Sequence, residues 1–178
     1  MKEKNYEKAL ELFRKATDLP ENLNVGFWNE SVLIPYKYNE ASALKALGRD
    51  EEARELIEKL VNLKNAGMWN MGGDFVYYSA MSVRLGGEEL RARKLMRDAV
   101  LEWESELKTG CVYYRKITQL FGCFVGDFTN MRLSELYGML GYGRLFDGDN
   151  DGASALFEKS LSISPSYKIG FELELLKR

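Results

Sequence analysis

The apolar positions of this chain recur with a helical period, and one short phrase returns along it. NYEKALELFRKA covers 5–16, LGRDEEARELIEKL covers 47–60, LGGEELRARKLMRDA runs from 85 to 99, and DGDNDGASALFEKSL ends at 161. Each places a small residue near a helix start: Ala9, Ala53, Ala92 or Ala153. A larger apolar residue follows four positions on: Phe13, Ile57, Met96 or Phe157. Three further on stand Ala16, Leu60, Ala99 and Ser160. Residues so spaced share one helix face. Small against large on that face predicts close helix contact beside a bulky anchor.

Upstream of three of these segments lies another helical stretch, YNEASALKAL, FVYYSAMSVRL or LSELYGMLGYGRL, closed by Gly48, Gly87 or Gly148. Glycine at a helix end supplies a left-handed conformation at low cost. The predicted unit is helix, tight glycine turn, antiparallel helix. Helices are expected at 4–17, 36–47, 50–63, 73–85, 88–107, 112–121, 131–146, 150–162 and 167–176. The last of them, YKIGFELELLK, is expected to cover the open end of the final pair, because terminal repeats need caps.

This layout resembles a tetratricopeptide repeat, whose period is about 34 residues. The final unit fits best, with Leu140, Gly141, Gly148, Ala153, Phe157, Ser160 and Pro165; Ser160 stands where alanine is usual. The second unit has Ala41, Leu44, Gly48, Ala53, Ile57 and Leu60, and the third Ala80, Gly87, Ala92, Met96 and Ala99. The first begins at its second helix, with Tyr6, Ala9, Phe13, Ala16 and Pro20. The turn glycines are spaced more widely than the period, so insertions are expected at 18–35 and roughly 100–130. The predicted fold class is all-α, an irregular tetratricopeptide-like helical-hairpin solenoid with insertions and a C-terminal capping helix.

The resemblance extends to a family of large bacterial multi-domain proteins. YEKALELFRKATDLPENLNVG, YNEASALKALGRDEEARELIEKL, FVYYSAMSVRLGG, LFGCFVGDF and LYGMLGYGRLFDGDNDGASALFEKSLSISPSYKIG resemble the C-terminal tetratricopeptide region of that family. Its members carry an uncharacterised N-terminal region related to mutarotase-like, carbohydrate-active β-sandwiches. No sandwich lies in these residues. The resemblance therefore implies a single repeat domain over 1–178 that is a fragment of a longer bacterial chain; the N-terminal MKEKNYEKALELF carries no apolar signal-peptide core, and the expected localisation is cytoplasmic. It carries over no catalytic residue.

Composition adds bounds. The chain is 46% hydrophobic and 29% charged, with 3 prolines and a formal net charge of -2, which suits a soluble helical protein. No basic stripe marks a nucleic-acid surface, and no apolar run is long enough to span a bilayer. Histidine is absent, which removes the usual general base near neutral pH and the commonest zinc ligand. Cys111 and Cys123 are read as reduced, partly buried thiols.

DGDNDGASALFE, at 147–158, fits a calcium-loop pattern, with Asp147, Asp149 and Asp151 as ligands, Gly152 at the turn and Glu158 closing. Ser154 and Ala155 are poor residues for their loop positions, and the repeat helix already claims Ala153 and Phe157. The loop is read as a helix N-terminus, where acids are favoured. Glu51, Glu52, Glu55 and Lys59 are read as a wet helix face, and Glu102, Glu104 and Glu106 fan out rather than converge on a cleft. No nucleophile, base and orienter set appears. No cofactor and no metal are expected.

The aromatics Trp28, Trp69, Tyr77, Tyr78, Trp103, Tyr113, Tyr114, Phe121, Phe124 and Phe128 gather about the insertions. They read either as core filling between unequal helices or as the lining of a groove. The groove candidates are Tyr36, Tyr38, Tyr77 and Tyr137, with Lys37, Arg84, Arg115 and Arg132 supplying charge. The functional expectation is a non-catalytic scaffold that packs against another domain of its parent chain or binds a protein partner, with neither nucleic acid nor membrane. The alternative is an accessory part of a carbohydrate-processing enzyme whose active site lies on another domain.

Overall fold

The structure, a computed structural model, describes residues 5–18, 33–62, 73–110 and 129–177. The described residues form eight helices and no strand. They are α1 Tyr6–Thr17, α2 Ile34–Ala46, α3 Asp50–Asn62, α4 Gly73–Leu85, α5 Glu89–Lys108, α6 Thr129–Phe146, α7 Asn150–Ile163 and α8 Tyr167–Leu176. The all-α helical-hairpin class read from the periodicity is the one that forms. The helix expected at 112–121 lies outside the described residues. One boundary moves for a clear reason: Ile34 and Pro35, read as the end of an insertion, form the first turn of α2. Proline has no N–H, and the first helical turn needs none from it.

The three glycine turns share one geometry. Gly48, Gly87 and Gly148 have φ of 73, 91 and 81°. The next residue's N–H reaches back each time: Arg49 to the Leu44 carbonyl at 2.9 Å, Glu88 to Val83 at 3.1 Å, Asp149 to Arg144 at 3.0 Å. The glycine N–H donates to Lys45, Arg84 or Leu145 at 3.1, 2.9 and 3.1 Å. These bonds satisfy carbonyls the helix end would otherwise leave open.

The chain divides into two compact units, Met1–Met71 with Tyr78–Lys94, and Gly72–Tyr77 with Leu95–Arg178. In the first, α2 packs against both α1 and α3. Its core is Leu10, Ala43, Leu44 and Ala53, flanked by Leu47 and Leu56. Helix α3 buries Ala53, Ile57 and Leu60, and its far side is wet, with Arg54 bridging Glu51 and Glu58. Ala80, Val83 and Ala92 are also buried. Helix α1 is different. Leu10 is its one buried side chain; Ala9 and Phe13 are half-buried and Ala16 is exposed.

In the second unit α6 packs on α7, and α7 on α8. Ser134, Gly138 and Gly141 lie along one face of α6 and leave room for bulk opposite. A Cβ at Gly141 would sit 2.5 Å from Cδ1 of Phe157, and one at Gly138 would sit 2.9 Å from Cδ1 of Ile169. Phe157 is fully buried with Ala153, Tyr142, Ile169 and Leu173. Burying such a ring contributes roughly 3 kcal/mol. Ser160 is accommodated because its hydroxyl donates to the Ser134 carbonyl at 2.7 Å while the Ser134 hydroxyl donates to the Ser160 carbonyl at 2.8 Å. Met96 and Trp103 of α5 are buried too. Helix α8 is capped by Ser166, covers Phe157 with Ile169 and Leu173, and is tied to the start of α4 by Lys168 and Asp74 at 2.7 Å.

Candidate functional site

In the first unit the leading helices α2 and α4 bring together an aromatic, cation-bearing face. The rings of Tyr38 and Tyr78 lie 5.4 Å apart, inclined by 48°. Burial holds the Tyr38 phenol above its ordinary value, with Ser42 and the Arg84 charge acting the other way. Arg84 donates to the two Glu89 carboxylate oxygens at 2.8 and 3.2 Å, and its guanidinium also meets the Met81 sulfur at 3.7 Å. Lys45 donates to the Leu85 carbonyl at 3.1 Å, a cation at a helix C-terminus where the dipole favours it. Tyr36 is exposed, within the first turn of α2.

Beside this face stands a buried charge. The Glu40 side chain is only 8% exposed, and it accepts from Arg14 Nε at 2.9 Å and from Lys37 Nζ at 2.8 Å. Burial alone would raise its pKa; the bonds from Lys37 and Arg14 outweigh it, so the carboxyl sits below its ordinary value. Arg14 reaches on to Glu52 at 3.3 Å, and Arg49 holds Glu52 at 2.6 Å.

The second unit holds the other candidates in separate settings. Tyr77 is half-buried against Tyr142 at 5.2 Å and packs on the Phe157 cluster. Tyr137 has Lys159 5.8 Å from its ring centroid. Arg132 is bidentate to Glu106, at 2.8 and 2.7 Å, and also meets Glu135 at 3.2 Å. The hydrogen bonds to Glu106 hold its guanidinium well above the ordinary value. Glu106, read from the sequence as one of three acids that fan out, is thus a half-buried partner; Glu102 and Glu104 are exposed. Trp103 is core. Trp28, Trp69, Tyr113, Tyr114, Arg115, Phe121, Phe124, Phe128 and both cysteines lie outside the described residues.

The acidic loop is used as a helix start. Asp149 caps α7, accepting from the Gly152 N–H at 2.9 Å. Residues 150–163 are already helical, so a twelve-residue calcium loop has no extended backbone to wrap an ion. Glu158 pairs with Lys177 at 3.1 Å. Among the described residues no group of three or more His, Cys, Asp or Glu is placed to hold a metal, and no helix is long and apolar enough to cross a membrane.

Sequence reasoning missed Glu40 and the Arg132–Glu106 pair. Each ion pair joins residues 26 apart in the chain, so no local pattern announces it. The only hint for Glu40 is Lys37, three residues before it on a helix otherwise apolar at that face.

Neither a curated protein nor a solved structure matches the chain. Residues 34–66 match the family model of the tetratricopeptide repeat, a span that begins with α2 and runs through the Gly48 turn and α3. The α2–α3 hairpin is similar to a tetratricopeptide repeat in sequence as well as in helix layout.

Proposed function

We propose that this chain is a non-catalytic scaffold that binds a protein partner or packs against another domain of its parent chain. The observation that supports this most is the coincidence of the tetratricopeptide match at 34–66 with a hairpin whose leading helix presents tyrosine and lysine beside an apolar core. Tetratricopeptide repeats commonly mediate protein–protein interaction. In this reading the partner is met in the first unit by Tyr36, Tyr38 and Arg84, whereas Tyr77, Arg132 and Tyr137 of the second unit are engaged by Tyr142, Glu106 and Lys159. Tyrosine suits such work, because it offers a large amphipathic surface at small entropic cost.

A photoreactive side chain placed at Tyr36 in cells making the natural gene product tests the reading. The expected result is a discrete crosslink to a polypeptide, weakened when Tyr38 and Arg84 are both changed to alanine. Absence of any polypeptide crosslink, together with substrate turnover by the purified chain, would contradict it.

A further inference from the structure

We draw no further inference here: the strongest candidate, the exposed Tyr167 and Phe171 side of the capping helix α8, is an apolar helix face for which nothing in the structure shows what covers it.

Discussion

Two helix junctions in this molecule are closed by different physics. The α6–α7 junction is closed by shape: glycines on one helix receive a phenylalanine from the other, and two serines exchange hydrogen bonds through their main chains. The α1–α2 junction sets Leu10 against Ala43 and Leu44 and adds a buried carboxylate with two cations. Close packing is stiff and indifferent to pH, because dispersion and burial depend on volume. A charge clasp is directional and depends on protonation. One junction is therefore held by volume alone, and the other by volume and charge together.

The largest expected effect is at the first junction. Phe157→Ala should destabilise by about 3–5 kcal/mol in a denaturant melt, because it leaves a cavity lined by Tyr142, Ile169 and Leu173. A cost near zero would show that α6 and α7 are not closed by this ring. Next come the small positions. Ala53→Leu and Ala153→Leu should each cost about 1–3 kcal/mol by overpacking, since both alanines have no exposed surface. Ala16→Leu, on the exposed side of α1, should cost far less, and equal costs at all three sites would erase the contrast between the junctions.

Acid sharpens the contrast next. Glu40 and Glu52 both sit below the ordinary carboxylate value of 4.5. The stability they supply is present above that value and is lost as pH falls through their folded ones. A fluorescent reporter on α1 should therefore detach at a higher pH than one on α7. Simultaneous loss would show that the two junctions share one electrostatic support. The smallest effect is at Ser160→Ala. It removes one hydroxyl whose acceptor, the Ser134 carbonyl, already belongs to a helix, so the change should stay below about 1 kcal/mol.

Much of this was legible in the sequence, and the reason is periodicity. Apolar residues at helical spacing, punctuated by Gly48, Gly87 and Gly148, define the hairpins, because each glycine conformation ends one helix and starts the next. Phe157 and Ile57 stand out for the same reason. What periodicity cannot say is which face of a helix finds a neighbour. In α1 it points to Ala9, Phe13 and Ala16, whereas the structure buries Leu10, since α2 is the helix that α1 meets. Ion pairs between distant segments were illegible as well. Arg132 reads as a groove cation until Glu106 arrives beside it, and nothing in the sequence singles out Glu40 until Arg14 does. Ser160 looks like a flaw in the repeat phrase until Ser134 supplies its hydrogen bonds. The groove candidates are identified only by type, and type alone does not say that Tyr36 is exposed while Tyr38, Tyr77, Arg84, Arg132 and Tyr137 are half-buried.

The claim beneath the repeat register is that small residues on a leading helix make room for a large one on the helix that follows. A double-mutant cycle on Gly141 and Phe157, read by denaturant melts, tests it most directly. In the natural background Gly141→Ala should destabilise by about 1–3 kcal/mol, because its new Cβ meets the Phe157 ring. In the Phe157→Ala background the same change should stabilise by about 0.5–1 kcal/mol, the ordinary gain of alanine over glycine within a helix. Gly141→Ala having the same effect in both backgrounds would contradict the claim.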